Sequence, residues 1–247
     1  MLSPDGLGGY VLAALLGLIF GSFSTAASYR LPRGLPLGAA RSACGACQHP
    51  LTAPDLIPVL SWCLSKGRCR HCGQPVSWRY PAIEIATALL FALCWHQSHG
   101  AAISAALLAL MGTALIVITV ADLECRIIPD AATLCLALCA ALWRWQQALP
   151  LLDGLLTGLA AMALAMALRW LFARLRGVNA LGLGDVKFLG AAGLALGSGQ
   201  IAPFLILSGL LGVAFGLVWR LAGRGSVFPF GPALAAALGL LLLFPIG

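Results

Sequence analysis

Residues 101–122 read AAISAALLALMGTALIVITVAD, a run of 21 residues from Ala101 to Ala121 without a charge, closed by an aspartate. A helix needs roughly 20 mostly apolar residues to cross a bilayer, and this stretch has them. The chain around it has the same character. Of its 247 residues 61% are hydrophobic and 9% charged, whereas soluble proteins carry roughly 45–50% and 25%. The mean hydropathy is +0.96. These values exclude a disordered chain, a soluble enzyme and a secreted disulfide scaffold. The nine cysteines do not revive the last reading, because a chain of this size is not a small domain short of core. The fold class is an all-α polytopic membrane protein.

Working outward from 101–121, seven further candidate spans lie at about 7–29, 82–96, 131–147, 151–172, 186–198, 201–220 and 229–246, giving about eight transmembrane helices. The one after Asp185 is short, so it reads as a half-span or as a helix sheltered by its neighbours. Gly17 and Gly21 stand in small-xxx-small spacing, which lets membrane helices approach closely. No convincing sequence repeat is evident along the chain.

The net charge of +7 comes from 15 Lys/Arg and 8 Asp/Glu. Seven basic residues (Arg30, Arg33, Arg41, Lys66, Arg68, Arg70, Arg79) fall in one polar stretch whose only acid is Asp55. No aromatic-interleaved basic ribbon accompanies them, so no nucleic acid partner is expected. They read instead as a topology signal and as contacts to the headgroups of a lipid bilayer. With that stretch in the cytoplasm, loops 30–81, 122–130, 173–187 and 220–228 face in and both termini face out. Fourteen basic residues then lie on or near the inner side, and Arg144 alone lies toward the outer end, where it is expected to snorkel. Val11–Phe20 followed by Ser24–Ala27 imitates a cleavable signal peptide. Asp5 is the only charge before that run, however, and the positive charge follows it, which fits an uncleaved anchor. The organisation is therefore a first transmembrane helix (1–29), a cytoplasmic insert (30–81) and a helical bundle (82–247).

Within the insert, Cys44-Gly-Ala-Cys47 and Cys69-Arg-His-Cys72 form two CxxC pairs. Each such knuckle turns both sulfurs toward one point, so Cys44, Cys47, Cys69 and Cys72 can close a tetrahedral structural zinc site resembling a zinc ribbon. An insert this poor in apolar residues needs such a staple to fold. The alternative is a set of redox-labile thiols without metal. His49 and His71 read as surface residues, and Cys63, Cys94, Cys125, Cys135 and Cys139 as small apolar filler.

Acids are costly in a bilayer, so each needs a reason. Asp122 follows the apolar run directly, and Asp185 stands in Gly182-Leu-Gly184-Asp185-Val-Lys187 at the head of the sixth span. The topology places both at cytoplasmic span ends, at similar depth. Two aspartates meeting there can share one proton and divide acid and base roles, the ionised member activating water and the protonated one donating to a carbonyl. The plainer readings are an interfacial solvated charge for Asp122, and for Asp185 a helix N-cap with Lys187 snorkelling beside it. Asp130, after Pro129, reads as an N-cap. Glu124 reads as loop, and Glu84 as pairing with an arginine or facing a polar cavity. Gly182 and Gly184 allow close approach to another helix or an extended substrate.

These pieces coincide in order. Gly21-Ser22-Phe23 is followed by Arg30-Leu31-Pro32, the paired CxxC insert, Arg79-Tyr80-Pro81 with Glu84, and Asp122…Ile128-Pro129-Asp130. Gly182-Leu-Gly184-Asp185-Val-Lys187 and Pro229-Phe230-Gly231-Pro232 come last. Over about residues 20–235 the chain resembles the type IV prepilin peptidases, membrane aspartic proteases with a GxGD motif. The resemblance implies that Asp122 and Asp185 are the catalytic pair, supported by Gly182, Gly184 and Lys187. It implies a bacterial inner-membrane enzyme that cuts the short basic leader from type IV prepilin or pseudopilin precursors on the cytoplasmic side. It further implies N-methylation of the new terminus with S-adenosylmethionine, in service of type IV pilus or type II secretion systems. No glycine-rich nucleotide fingerprint marks a site for that cofactor. The family usually has an asparagine shortly after the GSF element, whereas this chain reads Gly21-Ser-Phe-Ser-Thr25. Two other readings stand beside this one: a peptidase without methyl transfer, and a transporter using the two aspartates as a proton relay. A metalloprotease lacks its His-Glu-x-x-His helix, His96 and His99 falling at the outer face, and a serine protease lacks a Ser/His pair at one depth.

Overall fold

The computed structural model describes residues 4–38, 41–177, 181–225 and 227–245. Parts of the 30–81, 173–187 and 220–228 loops and the end of the last span thus lie outside the described residues. Each of the eight apolar runs is a helix. They are α1 (Pro4–Arg30), then, after the five-residue α2 (Leu60–Leu64) of the insert, α3 (Arg79–Gln97), α4 (Ala102–Cys125) and α5 (Asp130–Gln146). The chain continues with α6 (Leu151–Arg176), α7 (Leu183–Leu196), α8 (Ser198–Leu221) and α9 (Gly231–Leu243). Among the described residues four helical stretches are long and apolar enough to cross a membrane: Gly6–Arg33, Ala102–Cys125, Leu151–Arg176 and Ser198–Leu221. Among the described residues there is no strand, only two isolated β-bridges in the insert. The chain forms two compact units, 1–109 and 110–247, with the boundary inside α4.

In the first unit α1 and α3 lie backbone to backbone. A Cβ on Gly17 would stand 2.5 Å from Ala88 Cα, and one on Gly21 would stand 2.6 Å from Glu84 Cα, so only glycine admits this approach. Phe20 stacks on Phe91 with ring centroids 5.4 Å apart, and Tyr10 Oη bonds His96 Nδ1 at 2.7 Å. The Arg79 guanidinium donates to Ser28 Oγ at 2.9 Å. Among the described residues Glu84 is partnered by a backbone amide rather than by an arginine. It is buried, and its Oε2 accepts the Val59 N–H at 2.7 Å.

The second unit is built around α7, whose 14 residues rise only about 21 Å, short of a bilayer core. It is sheltered as expected, being in contact with α5, α6, α8 and α9, with Val186, Phe188, Leu189 and Ala192 buried. Glycine again sets the closest approach. A Cβ on Gly158 of α6 would stand 2.6 Å from Gly190 O, and one on Gly193 2.7 Å from Gly158 Cα. At the far end of α7, Gly197 turns at φ +70° into α8.

Arg144 does not snorkel. It is buried at 3% exposure, and its Nη2 reaches Asp153 Oδ2 at 3.0 Å and the Pro150 carbonyl at 2.7 Å. Asp153 in turn accepts the Ser198 N–H at 3.2 Å. A cation with a carboxylate and two backbone carbonyls in reach (Ala195 O lies at 3.4 Å) has no reason to seek the interface. The cluster ties the α5–α6 turn to the α7–α8 turn.

Candidate active site

Asp122 lies in the last turn of α4 and Asp185 in the first turn of α7. Asp122 is buried at 6% exposure, and its Oδ2 accepts the Gly231 N–H at 2.7 Å. Gly231 opens α9 with Pro232 in the first turn, so the donor is one of the amides that a helix start leaves without an internal partner. A Cβ on Gly231 would lie 2.7 Å from Asp122 Oδ2 and 3.0 Å from its Cγ. Asp185 is half-buried, and its Oδ2 accepts the Gly182 N–H at 3.1 Å. It is therefore not the N-cap: Gly182 holds that position and Asp185 reaches back from the third residue. Asp122 is among the charges acting on Asp185, so the two acids share one electrostatic neighbourhood.

Gly184 brings the start of α7 close to the segment that follows Asp122. A Cβ there would stand 2.9 Å from Ile128 Cβ, so the glycine lets α7 begin against the Ile128-Pro129 turn that follows Asp122. Lys187 is exposed and does not touch the acids. Its Nζ donates to both Asp130 oxygens at 2.7 Å. Asp130 consequently is no N-cap: it is the first residue of α5, with Pro129 as the cap and no side-chain capping bond. Two contacts were not foreseen from sequence. Gly231 stood in a recognised tetrapeptide with no role attached, although a Gly-Pro helix start is a signal for a free amide. The Arg169 guanidinium of α6 donates to the Leu181 carbonyl just before Gly182, and nothing local in the sequence marks that bond. A groove of about 320 Å³, lined by Leu134, Leu155, Leu159 and Leu194 with Asp130 and Lys187 at its edge, runs between α5, α6 and α7 and includes neither Asp122 nor Asp185.

Two carboxylates so held can do acid–base work. The backbone amides fall on Oδ2 of each group, orienting both side chains while Oδ1 remains for a water or a substrate carbonyl. Like charges in one site titrate as a pair and favour the singly protonated state, which holds a base and an acid together.

The insert brings its four cysteines together. The sulfurs of Cys44, Cys47, Cys69 and Cys72 all lie within 4.8 Å of one another, with Cys44 and Cys72 3.9 Å apart. Tetrahedral zinc with bonds of about 2.3 Å sets its sulfurs about 3.8 Å apart, so the cluster fits that ion. The two knuckles are built alike. Cys44 N–H bonds His49 O and Cys69 N–H bonds Gln74 O, and bridges pair Ala43 with Pro50 and Arg68 with Pro75. The backbone amides of Cys47 and Ala46 lower the Cys44 thiol to about 6. His49 and His71 are exposed, as expected, and stack with centroids 3.5 Å apart. Cys94 and Cys139 are buried, Cys125 is half-buried, and Cys63 and Cys135 are exposed, Cys135 being hydrogen-bonded to Cys139.

The fold is that of a helical membrane protein with a cysteine-clustered insert, and it holds Asp122 and Asp185 at helix ends of one unit. Residues 15–98 match the bacterial peptidase A24 N-terminal domain, and residues 109–217 match the type IV leader peptidase family. The chain is similar to relatives named prepilin leader peptidase/N-methyltransferase, three of which follow. One, from Burkholderia pseudomallei (strain K96243), is 35% identical over 94% of this chain and 84% of its own length. Another, from Aeromonas salmonicida (strain A449), is 37% identical over 83% and 71%, and the third, from Bacillus subtilis (strain 168), is 34% identical over 93% and 92%. No solved structure matches. The chain belongs to the type IV leader peptidase family.

Proposed function

We propose that the chain is a membrane aspartic endopeptidase that removes the short basic leader of type IV pilin-like precursors, with Asp122 and Asp185 as its catalytic pair. What supports this is that two acids stand on separate helices of one unit, each bonded by a glycine amide, with Asp122 among the charges acting on Asp185. The ionised member of the pair takes a proton from water as the water attacks the scissile carbonyl, and the protonated member donates to the carbonyl oxygen. Collapse of the tetrahedral intermediate, with a proton passed to the leaving amide nitrogen, releases leader and mature chain. Gly231 and Gly182 hold the two carboxylates in place. The activity named for the relatives supports this reading.

The same reading places the protein in the bacterial inner membrane, with residues 30–81 as a cytoplasmic insert and the bundle of 82–247 carrying the site at the cytoplasmic side. The scissile bond, just outside the precursor's apolar helix, meets acids at helix ends there. Zinc bound by Cys44, Cys47, Cys69 and Cys72 has a structural role. N-methylation of the new terminus follows from the relatives' names. S-adenosylmethionine would supply the methyl group, but the described residues contain no strand–turn–helix cradle of the kind that grips such a cofactor, and no residue is assigned to it.

The test is intact-mass analysis of a pilin precursor incubated with the purified protein, with and without the methyl donor. Loss of the leader supports the peptidase, and one added methyl group on the product supports the second activity. An unchanged precursor overturns the reading, and a cleaved, unmethylated product confines it to proteolysis.

A further inference from the structure

The insert carries an aliphatic cluster that its own small core does not use. In α2 the Trp62 side chain turns inward, its Nε1 donating to the Val76 carbonyl at 3.0 Å, while its ring covers Gly67. Leu60 and Leu64, two and two residues away on either side of it, lie one turn apart on the opposite face. With Leu56 and Ile57 they form a set that is 44–67% exposed. Four large aliphatic side chains left in water would be a liability for a segment stapled by a metal. Lys66 and Arg68, both exposed, follow directly.

Their depth says what covers them. Glu84 is five residues inside α3 from Arg79, about 7.5 Å by helical rise. Gly21, which packs on its Cα, is nine residues inside the Arg30 end of α1, about 13 Å by the same rise. The Glu84 carboxylate accepts the Val59 N–H at 2.7 Å and is also bonded by the Ser22 side chain. This clasp draws the Ile57–Leu60 turn to within one glutamate side chain of that level, on the membrane side of Arg30 and Arg79. Val59 is held there at φ +59° and ψ −49°, a conformation β-branched residues avoid, in a tight turn closed by Leu60 N–H to Pro58 O at 2.5 Å. A strained turn persists only where its surroundings over-determine it.

We propose that Leu56, Ile57, Leu60 and Leu64 form an interfacial anchor seated in the phospholipid bilayer beside α1 and α3. The Glu84–Val59 clasp sets its depth, and Lys66 and Arg68 meet lipid phosphates. The occupant is lipid because the clasp holds the cluster at the level of Glu84 and Gly21, inside the Arg30 and Arg79 ends of α1 and α3, where α1 also exposes Phe23 and Tyr29. The anchor holds the zinc-binding insert against the membrane surface.

The test uses the full-length, zinc-loaded protein in phosphatidylcholine vesicles, with a fluorescent amino acid placed in turn at Leu60, Leu64 and, on the exposed tip of a knuckle, Gln48. Lipids brominated near the headgroup end of their chains should quench emission at 60 and 64 by about half or more, as for a helix seated in the interface, and leave 48 unaffected. Glu84→Ala, with zinc content unchanged, should reduce the quenching at 60, while Glu84→Gln, which keeps an acceptor oxygen, should not. Aqueous iodide quenching 60 and 64 as strongly as 48 would overturn the proposal. So would bromolipid quenching that appears only with added pilin precursor, which would assign the cluster to substrate, or only at high protein-to-lipid ratio, which would assign it to a second copy.

Discussion

Replacing Gly231 with alanine should damage catalysis far more than the addition of one methyl group suggests. The new Cβ would lie 2.7 Å from Asp122 Oδ2, 3.0 Å from Cγ and 3.1 Å from Cβ. Because Asp122 Cβ is itself crowded, rotating the carboxylate cannot relieve the contact, and either the α9 start or the α4 end must move. The alanine N–H is still present, but its 2.7 Å bond to Oδ2 cannot survive that movement. A hydrogen bond to a charged group contributes about 1.5–3 kcal/mol. If it positions the carboxylate in the transition state, its loss lowers kcat about ten- to a hundredfold, at 1.36 kcal/mol per decade. Overpacking costs about 1–3 kcal/mol of stability besides. The assay is leader removal by purified protein at saturating precursor, alongside a thermal melt in the same detergent. Gly209→Ala in α8, where a Cβ meets nothing within 4 Å, is the control and should retain full kcat. Because the bond orients a titrating pair, Gly231→Ala should also shift the pH profile of kcat, which a purely structural defect would leave in place. Full activity with an unchanged profile would refute the assignment of Gly231 as a positioning residue for Asp122.

Cys44→Ser should lower bound zinc, measured by metal analysis, and reduce protein abundance more than it reduces cleavage per folded molecule. Zinc requires thiolates, and the Cys44 thiol is lowered to about 6. Zinc should therefore be held at neutral pH and released in acid, as protons compete with the metal for the four sulfurs. Arg144→Ala strips the Asp153 carboxylate of its cation. Breaking a buried pair costs about 3–5 kcal/mol, and since the Asp153 side chain is 32% exposed the lower end applies. The thermal melt should fall, while cleavage measured well below the new midpoint persists. Gly158→Leu should loosen α6 from α7, because a side chain there meets the Gly190 carbonyl at 2.6 Å. Its signature is loss of folded protein in a detergent melt rather than an altered kcat.

Helix positions were legible in the sequence because apolar runs in a membrane chain have few alternatives: α4 ends within four residues of the run that begins at Ala101. The two acids were legible for the same reason, since a carboxylate at a span end stands out against an apolar background. What could not be read was pairing over distance. Lys187 and Asp130 lie 57 residues apart, and either alone looks like a snorkelling or capping residue. Arg144 and Asp153 flank a Leu-Pro turn, and the opposite charge nine positions on is the local sign of that pair. Glu84 finds a backbone amide, a partner that no side-chain pattern announces. The insert holds a short repeat too sparse to stand out by residue identity: Cys44, Cys47 and Pro50 recur as Cys69, Cys72 and Pro75, and both copies fold with the same amide bonds and bridges.

The account rests on Asp122 and Asp185 cleaving a peptide bond together. Purified Asp122→Asn and Asp185→Asn proteins, matched to the unmodified protein in thermal melt and zinc content, can be incubated with a pilin precursor and read by intact mass. The account predicts that each variant leaves the precursor whole while the unmodified protein removes its leader. Leader removal at an undiminished rate by either folded variant would contradict it.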